Sequence, residues 1–331
     1  MGLKSMEFFN PNSNVNFMGA RKVSLTISTL LLLISIVSLS TRGLNFGLDF
    51  TGGSLVEVHF EKPTEQKDIL HAMDTGGLKG AIVQSFGSKD FSIRLPPAVG
   101  GGSSKTQASQ TENQLDARNS RITAKVQQAL DSSGHHGEVK PSVYVGPQVG
   151  KELATNGIVA VFVVLAGIAI YIWIRFEWRF ALGVILCELH DVILTLGFFS
   201  VTGLEFDLTV LAAVLAVDGY SVNDTIVVFD RVRELFRSAR KGGPLEILNR
   251  AVNSTLSRTI MTSLATTLTV IALFFFGGPS LHGFSTALLV GIAVGTFSSI
   301  FFACPILYIF GVSKQDLMPK LRDDAELARR P

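Results

Sequence analysis

Long apolar segments recur along this chain and alternate with shorter polar ones. Of six such segments, four carry no Asp, Glu, Lys or Arg, and two carry only a few acids and one histidine. They are residues 23–41, 153–174, 180–204, 208–229, 259–281 and 283–313. Because an α-helix needs ~20 apolar residues to cross ~30 Å of hydrocarbon, the pattern predicts an all-α membrane bundle. The predicted transmembrane helices are residues 23–42, 157–174, 180–201, 207–229, 259–276 and 284–310.

Lys and Arg residues predict which way these helices run. They precede the first span and follow the last, whereas the short opposite loops at 202–207 and 277–282 contain neither. Because cytoplasmic loops carry an excess of Lys and Arg, we expect a multi-pass bacterial inner-membrane protein with both termini, 1–22 and 311–331, in the cytoplasm. The link 230–258 is then a basic cytoplasmic loop. The first span exceeds the ~7–15 apolar residues of a signal peptide, which favours an uncleaved anchor.

The long segment at residues 43–156 is predicted to be a folded periplasmic domain. Alternating and helical spacings predict its elements in chain order. They are strand 54–61, helix 64–74, strands 79–86 and 90–95, helix 111–130 and strand 138–145. This βαββαβ order is that of a ferredoxin-like, split βαβ unit. The predicted fold class is therefore a six-helix membrane bundle with an α+β ferredoxin-like domain.

Ionisable side chains lie inside two of the predicted spans, and Arg258 lies at the start of a third. Charged groups are costly in hydrocarbon, so each is a candidate functional residue. Arg258 and Asp224 enter the membrane from the same side and can lie at similar depth. A carboxylate that can pair with Arg, or lose that pairing and take a proton, is a proton switch. The candidates for a proton relay are Asp224, Arg258, Asp218, Asp191, Glu188 and His190.

A static ion pair that fixes helix register is the alternative interpretation of Asp224 and Arg258. The number of acids argues against it, because one Arg cannot neutralise three or more of them. Thr262, Thr266 and Thr269 continue the helical face that Arg258 begins. This polar stripe is expected to face protein or water rather than lipid.

Several glycines are expected to have structural roles. Gly291 and Gly295 belong to a series of small residues spaced by four in the last span, which favours close helix packing. Gly47, Gly52 and Gly53, with Asp49, lie between the first span and the first strand, where glycines suit a tight turn or a close backbone approach. Composition points to no metal site and, with a net charge of +2, to no nucleic-acid partner.

Six motifs together resemble the SecD/SecF family of the bacterial Sec export machinery, in particular its SecF-like chains. The motifs keep their order along nearly the whole chain. They are GLDFTGG (47–53), RFEWR (175–179), HDVILT (190–195), GYSVNDTIVVFDRVRE (219–234), TLSRTIMT (255–262) and GGPSLHGFS (277–285).

The resemblance implies half of a transporter of the resistance-nodulation-division superfamily. Such chains pair with SecD, associate with SecYEG and YajC, and use the proton motive force to assist preprotein translocation. No cofactor other than protons is implied. The family's proton-relay pair corresponds to Asp224 and Arg258, and Gly219 and Asn223 belong to the same motif as Asp224. Asp218 and Glu188 stand where the family usually has apolar residues, which leaves open whether Asp224 or Asp218 titrates.

Other functions are less consistent with the sequence. A proton-coupled efflux half would need a larger outer domain than 43–156. An intramembrane aspartyl protease would need a GxGD-like loop, and here Asp218 precedes Gly219. A purely structural brace would not need ionisable groups at the middle of the membrane. We therefore expect a non-enzymatic export subunit whose partners include the translocating preprotein and membrane lipid.

Overall fold

The structure, a computed structural model, describes residues 15–97, 112–238 and 242–312. Its helices are α1 (Arg21–Thr41), α2 (Leu48–Thr51), α3 (Gln66–Thr75), α4 (Glu112–Ser132), α5 (Pro147–Arg175), α6 (Trp178–Thr202), α7 (Leu208–Ser238), α8 (Pro244–Phe276), α9 (Pro279–Phe301) and α10 (Ala303–Ile309). Its strands are β1 (Asn45–Phe46), β2 (Gly53–Phe60), β3 (Ile82–Ser85), β4 (Asp90–Leu95), β5 (Gly137–Val139), β6 (Val143–Val145) and β7 (Glu205–Phe206). Most of the predicted terminal segments, 1–22 and 311–331, lies outside the described residues.

Within the described ranges, six helices are long and apolar enough to cross a membrane, which confirms the predicted number of spans. They are α1 with the short turn before it, α5, α6, α7, α8 and α9. The α6, α7 and α9 helices are the most buried of the six. The α1, α5 and α8 helices leave most of their surface exposed and therefore surround this central trio.

Three helices extend well beyond their predicted spans. The α5 helix begins at Pro147, α7 continues to Ser238, and α8 begins at Pro244. Pro147 and Pro244 each occupy the first helical turn after an extended glycine, a position where the missing N–H of proline costs nothing. The segment 230–258, predicted as a loop, is therefore largely helical in its described part. Hydropathy located the apolar windows but not the polar turns that continue the same helices.

The last predicted span, 284–310, is broken into α9 and α10. Pro305 lacks the N–H that would bond to the Phe301 carbonyl, and its ring disfavours a continuous helix there. The freed Phe301 oxygen instead accepts a hydrogen bond from Ser24 Oγ at 2.9 Å. Because unpaired backbone groups are costly in a membrane, Ser24 compensates for the break from α1.

Outside the six membrane helices, the chain forms a five-stranded sheet covered by two helices, here called the outer domain. The strand order is β3-β4-β2-β5, with β6 also pairing β2, and every pair is antiparallel. The predicted last strand is split into β5 and β6, since Pro141 between them cannot donate to the ladder. Alternate residues of β2 and β4 pack against Ile69 of α3 and Val126 of α4, which are fully buried.

A short parallel pairing of β1 with β7 connects the two parts of the molecule. The turn after β1 carries the glycine motif. Gly52 and Gly53 have φ values of 70° and 131°, which side chains rarely adopt. A Cβ on Gly52 would lie 2.8 Å from the Cα of Pro147, where α5 begins. The motif thus lets the outer sheet, the start of α5 and the α6–α7 link approach one another closely.

Candidate intramembrane proton site

Contacts between α7 and α8 fix the relative depth of Asp224 and Arg258. Tyr220 Oη donates to Ser263 Oγ at 3.1 Å, and Arg231 Nε donates to Ser254 Oγ at 3.1 Å. The pair lies between these two contacts on antiparallel helices. The register therefore places Asp224 and Arg258 within about one helical turn of each other in depth.

Asp224 is buried while Arg258 is on the surface. Asp224 is 2% exposed, and its Oδ2 has no hydrogen-bond partner among the described residues. Arg258 lies exposed on α8 and close enough to attract Asp224 electrostatically. The structure thus brings the two residues together in depth but not into direct contact in the described part of this chain. The carboxylate retains an unused acceptor, and the guanidinium lies at the edge of the bundle.

Asp191 occupies a different environment and is surrounded by donors from three helices. Ser298 Oγ of α9 donates to its Oδ2 at 2.7 Å, and Ser221 Oγ of α7 donates to the same oxygen. The other oxygen lies 2.7 Å from Nδ1 of His190, whose ring stacks on Phe302. Asp191 is 1% exposed and ties α6, α7 and α9 together.

Ser298 belongs to this arrangement although no sequence motif indicates it. Its hydroxyl sits one position before Ser299, which belongs to the small-residue series of α9. A second serine next to Ser299, in a chain whose other spans carry buried acids, is the sequence feature that could have indicated this hydrogen bond. Ser221 lies within the motif at 219–234, but nothing in the motif indicates Asp191 as its partner.

Asp218 and Glu188 are buried without comparable partners. Asp218 is 1% exposed and neither carboxyl oxygen has a hydrogen-bond partner in the described ranges. Glu188 is 3% exposed and its Oε1 is likewise unpartnered there. Both lie within electrostatic range of Asp191. The structure therefore gathers three predicted acids inside the bundle, apart from Asp224.

The hydroxyl stripe of α8 faces outward from the chain. Thr262 and Thr266 are half-buried and Thr269 is exposed, and each hydroxyl donates to a carbonyl of its own helix. Asn223 and Gly219 of α7 are also exposed. Nothing lies within 4 Å of a Cβ built on Gly219. Polar and small residues thus line one outer face of a membrane helix pair.

Gly291 and Gly295 lie instead in the interior. A Cβ on Gly295 would lie 2.8 Å from Ser221 Oγ, and a Cβ on Gly291 would overlap Val217. These glycines let α9 approach α7 closely, beside the Ser221 hydroxyl that donates to Asp191. Close packing and the polar site therefore depend on each other.

The glycine motif, next to the five-stranded sheet, supports the ends of these helices. Asp49 Oδ2 accepts from the backbone N of Leu208 at 3.0 Å, at the start of α7. Arg94 of the outer sheet pairs with Glu205 of the α6–α7 link at 3.3 Å and donates to the Phe46 carbonyl. Burial raises the pKa of Glu205, although Arg94 opposes this effect. The link between α6 and α7 is thereby held by the outer domain.

Two family models match the chain. The model of the C-terminal part of the protein export membrane proteins SecD and SecF matches residues 125–313. The model of the SecD/SecF GG motif matches residues 37–64, which include Gly52 and Gly53 in the turn after β1. Together they cover the spans that carry the acids and the turn that supports them.

Curated relatives are similar over almost their whole length. The protein translocase subunit SecF of Vibrio alginolyticus is 44% identical over 95% of this chain and 95% of its own. The SecF subunit of Pseudomonas aeruginosa is 43% identical over 94% of this chain and 96% of its own. Such names point to a transport role rather than an enzymatic one.

Solved structures share the fold. The crystal structure of SecDF, a translocon-associated membrane protein from Thermus thermophilus, is 34% identical with a TM-score of 0.78. The match covers 92% of this chain and 39% of that one, so this chain spans well under half of SecDF. The super-membrane-facing form of SecDF matches with a TM-score of 0.64. By motif, sequence and fold, the chain belongs to the SecF family of Sec protein translocase subunits.

Proposed function

We propose that the chain is one half of a proton-coupled motor that assists preprotein export across the bacterial inner membrane. Its other half is a SecD-like six-span protein, and the two act with SecYEG and YajC. Protons are the coupling ion, with Asp224 and Arg258 as the relay pair. The family match favours this function over the efflux alternative.

The outer face of α8 is the observation that carries the proposal. Arg258 and the threonines beside it lie where lipid would otherwise contact the chain, and a cation exposed to lipid is expensive. A second helix bundle on this face would exclude lipid from Arg258. The buried Asp224 lies at matching depth just behind it. The interface between the halves is then the place where Arg258 and Asp224 can pair and separate.

We further propose that the outer domain is ferredoxin-like and periplasmic. The strand order, with β2 between β4 and the β5–β6 pair, supports a split βαβ arrangement. The parallel pairing of β1 with β7 would transmit movement of this domain to the α6–α7 link. That link leads directly into the helices that carry the acids.

Purification from native membranes tests the partnership. The wild-type chain should bring along a second six-span protein and the SecYEG channel. Thr266→Trp places a bulky group on the polar face of α8 and should reduce recovery of the six-span protein at least several-fold. Ile170→Trp, on an exposed face of α5, is the matched control and should leave recovery unchanged. Equal recovery with both variants would contradict the proposed interface.

A further inference from the structure

Three acids inside the chain's own bundle form a group separate from Asp224 and Arg258. We call Glu188, Asp191 and Asp218 the interior acid cluster. All three are at most 3% exposed, and electrostatic interactions connect Glu188 with Asp218 and each of them with Asp191. The cluster needs no second protein to be enclosed.

Only one member of the interior acid cluster has the partners that an anion needs. Asp191 accepts from two serine hydroxyls and lies beside a histidine ring nitrogen. Hydrogen bonds to a carboxylate stabilise its charged form. Asp218 has no donor on either oxygen and Glu188 has none on Oε1, among the residues described. A buried carboxylate without donors or a counter-ion is costly.

The surrounding helices supply little positive charge. Besides the cluster, α6 contributes His190 and the thiol of Cys187, and α10 contributes the thiol of Cys304. The α9 helix offers hydroxyls near the cluster and carries one titratable group, His282, in its first turn. The apolar parts of α1 and α5, residues 23–41 and 153–174, contain no Asp, Glu, Lys, Arg or His. Asp224 lies elsewhere on α7 and faces Arg258. A protonated His190 would offset one carboxylate and leave two.

We propose that Glu188 and Asp218 form a second proton-binding site, in which both carry protons while Asp191 remains an anion between them. This site deepens the proposed proton coupling, but its protonation does not depend on export. No group of His, Cys, Asp and Glu in the described ranges is arranged to hold a metal ion. The proton is therefore the ligand that these unpartnered oxygens fit.

The helix register places the three acids at different depths. Asp191 meets Ser221 across two antiparallel helices. Asp218 lies about one turn from this contact toward the α6–α7 link, and Glu188 about one turn toward the α5–α6 link. A proton that enters from one side of the membrane would meet Asp218, Asp191 and Glu188 in succession. The cluster thus spans about two helical turns of depth within this chain alone.

Infrared spectroscopy of the purified chain in lipid nanodiscs tests the site. A protonated carboxyl gives a C=O band distinct from that of a carboxylate. Glu188→Gln and Asp218→Asn should each remove part of the protonated band at neutral pH and leave the melting temperature within a few degrees, since an amide resembles the neutral acid. Asp230→Asn, at an exposed ion pair on α7, is the control and should remove only carboxylate signal.

The outcomes separate the alternatives. Loss of carboxylate signal instead of protonated signal in both variants would overturn the proposal. So would a melting temperature that rises with NaCl but not with choline chloride, because that result identifies a metal-cation site. If either variant fails to fold, the wild type is treated with a hydrophobic carbodiimide, which reacts with protonated carboxyls in apolar surroundings. Labelling of Glu188 or Asp218 supports the site, and labelling of neither overturns it.

Failure here can be distinguished from failure of the proposed function. The infrared bands report protonation in a chain that is not exporting anything. An export defect in Asp224 variants, together with carboxylate signals at Glu188 and Asp218, would support the proposed motor and overturn the second proton-binding site. The reverse combination would retain the site and remove the relay pair.

Discussion

At the scale of single residues, similar carboxyl groups in one apolar bundle differ in what surrounds them. Asp191 is held by donors from two other elements, Asp218 by none that are described, and Asp224 faces a cation at a distance. Burial alone therefore does not assign a role to an intramembrane acid. The donors around it decide whether it is a structural anion or a group that can exchange a proton.

Asp191→Asn should destabilise the bundle. The amide would present an NH2 group to the serine hydroxyls of α7 and α9 and lose the charge that their hydrogen bonds stabilise. A hydrogen bond to a charged group contributes about 1.5–3 kcal/mol, so the melting temperature in detergent should fall by several degrees. Asp230→Asn is the matched control. Equal melting temperatures for the two variants would show that Asp191 is not a structural anchor.

The sequence predicted which acids lie inside the bundle better than how they meet. Helical periodicity and the cost of buried charge identified all three acids of the interior cluster, together with Asp224 and Arg258. The sequence did not predict that Arg258 would lie on the exposed surface of the helix bundle. The rotation of a helix in a bundle depends on its contacts with every neighbour. Ser298 was missed for the same reason, since its role depends on how closely α9 approaches α6.

At the scale of elements, close packing of α9 against α7 positions the polar residues. The periodicity of small residues predicted close packing of the last span, but not that α7 would be its partner. It did not predict the break at Phe302, although Pro305 was visible, because prolines are tolerated in membrane helices wherever a neighbour replaces the lost hydrogen bond. Ser24 provides that replacement from a helix that is distant in sequence.

Gly291→Leu should impair folding, because its side chain would overlap Val217. Overpacking of this kind costs typically about 1–3 kcal/mol or more. Gly167→Leu is the matched control, since nothing lies within 4 Å of a Cβ at Gly167 on α5. Size-exclusion profiles of the two variants should show loss of the monodisperse peak for Gly291→Leu alone. Similar profiles would mean that α9 does not need the close approach.

At the scale of the whole molecule, one outer domain is joined to one bundle through the glycine motif. The spacing of apolar and polar residues predicted the order of strands and helices in that domain, apart from the split of its last strand. The parallel pairing of β1 with β7 was not predictable, because two-residue strands carry too little pattern to be recognised. The orientation in the membrane stays a prediction based on Lys and Arg positions.

Cysteine labelling in intact cells tests that orientation. Ser103, a natural choice in the outer segment, lies outside the described residues, whereas Ser132 is exposed at the end of α4. A membrane-impermeant reagent added outside should label Ser132→Cys once the outer membrane is permeabilised. Ser238→Cys, at the end of α7, should react only after the inner membrane is opened. Labelling of both from outside would contradict the topology.

The central claim is that Asp224, facing Arg258, couples a proton gradient to export. The most direct test is preprotein translocation into inverted membrane vesicles with and without the gradient. Asp224→Asn and Arg258→Met should insert normally and lose most of the stimulation by the gradient, because neither variant can pair and separate the two charges. Asp218→Val, at a position where the resemblance to the SecD/SecF family implies an apolar residue, should lose much less. Full stimulation in Asp224→Asn vesicles, with loss in Asp218→Val vesicles, would contradict the account and make Asp218 the coupling acid.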